Sequence, residues 1–420
     1  MLQVIDAVAS TRRPILAGGW RQMVDQLARD VGERVRFHRL AAKKTQSVVA
    51  GLAGITADYL YQIERGKKIP TLPVLLALGR ALDLPPAALI DDSSHEIAPP
   101  HQRAAGEDLH RAMTLPVSAD EEPMPLADLR AQINEAWLVW QSSPTRYSQV
   151  SGLLSQLIVE VERALRADAS ADAGIEAYRA AADLYGLTRT VAKRTGRVDL
   201  AFLAADRAQR AAEASGDSLR VGAARWNLAH VALAERHHDV AEDIAMSAAH
   251  DLREHSGPDA AAVYGSLVLV AGVAAARRRD TWTARDRIRS VTPVAWKTGE
   301  RNTLWTAFGP TNVAMHAVSI EVEAGETSQA CHLAEEIEHE RSPSIERRVA
   351  FLLEQARSYQ QRKDYGSALV LLHSAEREAP EDVAYRPLAH DILRSVVQRG
   401  SRTTAKEAAH LADRLSVPVS

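Results

Sequence analysis

Between Thr45 and Gly66, TQSVVAGLAGITADYLYQIERG, apolar and polar positions fall at helical spacing twice, with a break around Gly54. Thr45 is placed to accept from a free N–H in a first helical turn, and Val48, Val49 and Leu52 form the apolar face of a helix about two turns long. Ala50 is small enough for a second helix to cross closely, and Gly54 can take the positive φ of a tight turn. Thr56 caps the next helix, which turns Leu60 and Ile63 inward and Ala57, Asp58, Tyr61 and Gln62 outward before Gly66 stops it. The pattern predicts a helix-turn-helix. Ahead of it, residues 1–19 carry no period, a helix is expected from Trp20 to Asp30, and Val31, Val35 and Leu40 with Phe37 mark another. Behind it, Leu72, Leu75, Leu76, Leu78, Ala81 and Leu82 predict a fourth helix of the domain, and Pro85–Ile90 a short fifth with proline at its start.

Residues 91–125 turn to proline, acid, serine and histidine and read as a linker, with one short helical piece near Gly106–Met113. From 126 to 416 only helical patterns occur, and hairpins repeat. In Arg347–Pro380, Leu352, Ala356, Tyr359, Tyr365, Ala368, Leu372, Ala375 and Pro380 stand where a tetratricopeptide unit sets its small and large residues. Equivalents of Ala368 are Ala201, Ala241, Ala284 and Ala330, at intervals of 40, 43, 46 and 38 residues. Ala229 and Gly272 stand 12 residues ahead of Ala241 and Ala284. The intervals exceed the regular 34, so longer helices and an irregular stack are expected. The predicted fold is all-α: an N-terminal extension (1–30), a five-helix helix-turn-helix domain (31–90), the linker, and an irregular tetratricopeptide-like α-solenoid (126–416).

Charge sharpens the division. The net charge is −3, yet residues 31–90 hold nine Lys/Arg against four Asp/Glu, an excess of five that leaves −8 for the remainder. A basic domain carrying the helix-turn-helix is the footprint of phosphate contact. A single cysteine, Cys331, excludes an internal disulfide and a multi-thiolate metal site. The longest nearly uncharged apolar run, Val263–Ala276, has 14 residues, short of the roughly 20 that cross a bilayer, and the N-terminus lacks a secretory pattern, so a cytoplasmic protein without membrane contact is expected. No phosphate loop, HExxH motif, nucleophile elbow or apolar carboxylate pair occurs, and His332 and His339 are too far apart along a helix to share an ion. No enzyme, cofactor or metal is expected.

Thr45-Gln46, Ala50, Gly54, Leu60, Ile63 and Glu64-Arg65-Gly66 closely resemble the DNA-binding domain of the Xre/Cro phage-repressor family, over Val31–Ile90. That resemblance implies an ion pair between Arg39 and Glu64, a phosphate contact from Gln46, and a Lys67-Lys68 loop lying along the DNA backbone. In a recognition helix the N-terminal residues meet the bases: here Thr56, Ala57 and Asp58, with Tyr61 and Gln62 one turn on. Gln62 suits an adenine edge, Asp58 a cytosine amine and Ala57 a thymine methyl. Arg36, Lys43, Lys44, Lys67 and Lys68 supply attraction independent of sequence. One such domain touches few base pairs, so a homodimer on a near-palindromic operator in double-stranded DNA is expected. The repeat register puts Trp226, His230, Asn312, Met315, Ser319 and Arg357 on the concave side of the solenoid. The combination resembles the RRNPP-type regulators, which implies a small-molecule or peptide effector there. The competing expectation is an interaction scaffold whose helix-turn-helix serves as a docking module.

Overall fold

The computed structural model describes residues 16–42, 44–82, 84, 86–90, 100–116, 122–167 and 170–417; among them the chain is helical, and the one β-bridge pairs Arg301 with Phe308. It divides into two compact units at residue 98.

In the first unit, α1 (Leu16–Ala41) is one continuous helix where the sequence suggested two, because nothing between Asp30 and Val31 breaks it. Gly32 lets it pass close to the end of the third helix: a Cβ there would stand 2.1 Å from the Ile63 carbonyl oxygen. Next come α2 (Gln46–Leu52), α3 (Ala57–Glu64) and α4 (Leu72–Leu82), and the expected fifth helix is a 3-10 turn, Pro86–Leu89. Val31, Val35, Val49, Ala50, Leu60, Ile63, Leu75, Leu78 and Leu89 form the core.

The inward face of α2 differs from the one expected. Val49, Ala50 and Ala53 are buried, whereas Val48 and Leu52 are 49% and 62% exposed. At about 100° per residue, Val48 and Leu52 both lie about 160° round the helix from Ala50. Once Ala50 makes the close crossing, they face out. Leu40, Leu72 and Leu76 are likewise exposed, and the Phe37 side chain lies outside the described residues.

The second unit begins inside the stretch read as linker. There α5 (Pro100–Thr114) buries Leu109 and Met113 in the core of this unit. The stack continues through α6 (Leu126–Ser142), α7 (Arg146–Arg166), α8 (Ala171–Arg194), α9 (Val198–Ala214), α10 (Ser218–Ala234), α11 (His238–Asp251), α12 (Pro258–Arg277), α13 (Thr281–Thr298), α14 (Pro310–Ala324), α15 (Thr327–Glu335), α16 (Ile345–Gln361), α17 (Tyr365–Glu378), α18 (Pro380–Tyr385), α19 (Pro387–Arg399) and α20 (Arg402–Arg414). It is the irregular helical-repeat solenoid the spacing predicts. Ala201, Ala241, Ala284, Ala330 and Ala368, one in the second helix of each successive hairpin, are all buried to within 1%. Small side chains there let the paired helices approach.

The apolar run at 263–276 belongs to α12, a helix of 20 residues, long and apolar enough to cross a membrane; 78% of its most apolar window is buried inside the unit. It is a core helix, with Val263, Leu267, Val268 and Val270 packed among α10, α11 and α14.

Candidate functional site

The helix-turn-helix is fixed by local chemistry. The Thr45 hydroxyl accepts from the Val48 N–H at 3.3 Å, and the Thr56 hydroxyl from the Tyr59 N–H at 3.1 Å. Between them Gly54 takes a φ of +67°. Thr56→Ala is expected to weaken α3 by about 1 kcal/mol, seen as roughly five-fold faster amide exchange in that helix.

Beneath this turn, Arg39 holds Glu64 with two bonds, Nε–Oε1 at 2.6 Å and Nη2–Oε2 at 2.9 Å. Both side chains are at most 10% exposed. The hydrogen bond to Glu64 raises the Arg39 pKa above its ordinary value. The pair ties the end of α3 to the end of α1.

Two residues expected to meet phosphate have partners within the unit. Gln46 Nε2 donates to Glu64 Oε2 at 2.7 Å, and Lys44 Nζ donates to the Ala81 carbonyl at 2.7 Å. The second is a helix-end effect: the last carbonyls of α4 have no intrahelical donor, and an ammonium satisfies one. Arg36, Lys67 and Lys68 are exposed, with Lys68 Nζ 5.9 Å from the Tyr59 ring centroid. Lys43 lies outside the described residues.

On the outer face of α3, Thr56, Ala57, Asp58 and Tyr61 are exposed, and Gln62 Nε2 donates to Asp58 Oδ2 at 2.7 Å. Arg65, which the sequence reading left without a role, sets its guanidinium 5.6 Å from the Tyr61 ring centroid. An open cleft of about 590 Å³ beside Tyr61 is walled by Arg36, Lys44, Gln46 and Arg65.

In the solenoid, the first helices of successive hairpins enclose a cavity of about 80 Å³, and Trp226, His230 and Asn312 line it. Trp226 and His230 meet edge to face, with centroids 4.5 Å apart. Asn312 is buried: its amide donates to the Ala307 carbonyl and its Oδ1 accepts from Arg347 Nε at 2.9 Å. His316 Nδ1 stands 3.0 Å from Arg347 Nη2 and 2.8 Å from the Asn312 carbonyl oxygen. A single tautomer serves only one of these contacts, since Arg347 can only donate and the carbonyl can only accept. Burial, then Arg347, pushes the His316 pKa well below its ordinary value, so the ring is neutral.

The structure does not bring the other three expected residues to this cavity. Met315 is fully buried with Val318, Val322 and Phe351. Ser319 donates to Glu354, and Arg357 stands 4.0 Å from Glu323. In their place are residues the sequence reading passed over: Trp137, Gln141, Arg189, Lys193, Arg194, Trp305 and Arg347. Trp137 and Trp305 stack with centroids 5.2 Å apart. Trp305 belongs to a bend in which Leu304, Trp305 and Ala307 all have positive φ, a conformation that costs about 1–3 kcal/mol per residue and persists only where packing enforces it.

A capped, ion-paired helix-turn-helix with a basic rim, carried on the same chain as a helical-repeat unit, defines a DNA-binding regulator. Comparisons with known proteins agree. The helix-turn-helix domain family matches residues 30–91. The transcriptional regulator ClgR of two Mycobacterium tuberculosis strains is 30% identical over 89 residues, which are 21% of this chain and 80% of ClgR. The chain belongs to the helix-turn-helix family of transcriptional regulators. Among solved structures it is similar to Bacillus thuringiensis PlcR in complex with the peptide PapR7 and DNA, at 12% identity over 63% of this chain and 94% of that one, with a TM-score of 0.26. It is also similar to ComR of Streptococcus vestibularis, at 11% identity over 93% and 100% of the two chains, with a TM-score of 0.26.

Proposed function

We propose that two copies of the chain act together on a near-palindromic operator, and that the helical-repeat unit takes a small-molecule or peptide effector that shifts operator affinity. The observation that carries the DNA half is the outer face of α3, where Ala57, Asp58, Tyr61 and Gln62 share one side of a helix braced by Arg39 and Glu64. Gln62 reads an adenine edge by releasing Asp58. Arg36, Arg65, Lys67 and Lys68 neutralise phosphates, and the cleft beside Tyr61 gives a backbone phosphate a seat near Gln46. Support for the effector half is the convergence of Trp226, His230 and Asn312 on one enclosed space. An effector acts only through its differential affinity for the two arrangements of the dimer.

The test is a footprint of the full-length protein on DNA upstream of its own gene, with genome-wide selection of bound fragments if that site is silent, repeated across a salt series. A protected near-palindrome is expected, with affinity falling steeply as salt rises. Lys67→Ala should weaken all sites alike and reduce the salt slope by about 1, whereas Gln62→Ala should lose about 1–3 kcal/mol of discrimination at one base step. Protection of a single half-site by a monomer would remove the dimer reading, and equal loss on all sequences for Gln62→Ala would remove its reading role.

A further inference from the structure

Buried polar atoms in folded chains nearly always have partners, and those without one mark places where something else supplies it. Gln141 Oε1, Arg189 Nε and Ser266 Oγ are buried without a hydrogen-bond partner, and all three side chains line the solenoid cavity. Their residues are 6%, 3% and 2% exposed. Arg189 makes the strongest demand. Among the described residues nothing accepts a hydrogen bond from its guanidinium, which faces the Trp226 ring at 5.7 Å. A buried charge without a counter-charge is strongly disfavoured.

The charge around it is one-sided. Arg189, Lys193, Arg194 and Arg347 line the cavity against the single carboxylate of Glu346. That carboxylate is already occupied by Arg194, Nε–Oε1 at 2.8 Å, and by the Trp140 indole, Nε1–Oε2 at 3.1 Å. Burial tends to raise the Glu346 pKa, yet Arg194, Arg146 and Arg386 hold it well below the usual carboxylate range. Arg347 is bonded to Asn312. Arg189 and Lys193 remain, four residues apart on α8 and on one face of it, an arrangement that like charges oppose. Burial pushes Arg189 down to about 9 and Lys193 well below its ordinary value. His230, lowered by burial and by Lys193 and Arg189, is neutral and offsets nothing.

We infer that this cavity is an oxyanion site, which takes the carboxylate or phosphate group of a small ligand between Arg189 and Lys193 while Gln141 Oε1 receives a neutral N–H or O–H of the same molecule. The inference rests on the effector reading above and gives that effector its chemistry. About 80 Å³ admits such a group and little more. An ammonium is a poor donor to Gln141 there, because the guanidinium groups of Arg189, Arg194 and Arg347 line the same cavity.

Trp137, Trp226 and Trp305 line the cavity, so tryptophan fluorescence reports on it. Full-length protein is titrated with inorganic phosphate, acetate and glycolate, chloride holding the ionic strength constant. A saturable change is expected with at least one of the three, weakened about ten-fold or more in Arg189→Gln and in Lys193→Met. Without anion, Arg189→Gln should melt no lower than the wild type, since it removes an uncompensated buried charge, and only the wild type should gain stability from the anion. Should that variant fail to fold, the partly exposed Lys193→Met decides. No saturable change with any of the three anions, or equal affinity in wild type and variants, overturns the inference and leaves water as the partner of these atoms. Repeating the titration with operator DNA separates the two readings. Anion binding that leaves operator affinity unchanged removes the effector and keeps the site. Modulation by a neutral compound, with all three anions silent, keeps the effector and overturns the site.

Discussion

Full-length protein carrying Glu64→Ala is expected to lose operator binding and to exchange the amides of α2 and α3 far faster than the wild type. Among the described residues Glu64 is the only carboxylate bonded to Arg39, and its loss leaves the guanidinium one bond there, to the Lys44 carbonyl at 3.1 Å. Removing one partner of a buried pair costs about 3–5 kcal/mol, because the other charge stays desolvated. A unit of this size has a total stability of roughly 4–10 kcal/mol, so the change takes a large part of it. Gln46 also loses its acceptor, which frees the start of α2. The check is a double-variant comparison by hydrogen exchange. Arg39→Met with Glu64→Met should be closer to wild type than either single change, since no unpaired charge remains. If the double variant is as damaged as the sum of the singles, the ion pair is not what holds α1 to α3.

The parts of this fold legible in the sequence are those decided within a few residues. Thr45, Gly54 and Thr56 act through bonds and dihedral angles inside one turn, and the positions marked by Ala201, Ala241, Ala284, Ala330 and Ala368 show because close helix crossings admit only small side chains. What was misread depends on rotation about a helix axis or on partners far along the chain. Trp226 with His230, and Asn312 with His316, are pairs four apart, and each pair faces the cavity. Met315 sits about 60° round the helix from Asn312 and packs as core, while Ser319 keeps roughly the same face but lies about 10 Å further along. Arg357 is about 15 Å along α16 from Arg347. A register error of this kind is invisible without knowing which neighbours close the groove.

The cavity cations were legible in principle. Arg189 stands inside, and Lys193 directly after, the run of α8 from Leu184 to Ala192 that is buried on every side. Charges four apart in such a setting need a reason, and the reason lies on α6, α12 and α16, far away in sequence. The helical piece expected near Gly106–Met113 is part of α5, and its place in the core was hidden for a related cause. Leu109 and Met113 are too few to show a period, yet they bury against α7 because the solenoid offers them a surface.

Asp382→Ala is expected to have the largest effect on the second unit, because this carboxylate joins the beginning of the solenoid to its end. Asp382 and Arg146 are both fully buried and paired, although they stand 236 residues apart in sequence. Tyr147 donates its hydroxyl to Asp382 Oδ1 at 3.1 Å, and Arg386 Nε does so at 3.0 Å. Arg146 also lies over the Trp140 ring at 4.7 Å, and the Tyr147 and Tyr385 rings stack at 4.3 Å. The start of α7 is therefore held against α18, and with it α6, whose Trp137 and Gln141 wall the cavity. Loss of Asp382 strands Arg146 without its charge partner, a penalty of about 3–5 kcal/mol, and Arg386 loses its carboxylate as well. Asp382→Asn should be milder, because the amide oxygen still accepts while the charge is gone. In thermal unfolding followed by tryptophan fluorescence, Asp382→Ala should melt well below Asp382→Asn, and both below wild type. Amides of α6 and α16, which face each other across the cavity, should lose protection before those of α12. If Asp382→Ala instead melts with the wild type and protection falls evenly, the two ends of the solenoid are held by their apolar contacts alone, and the cavity does not depend on the buried pair.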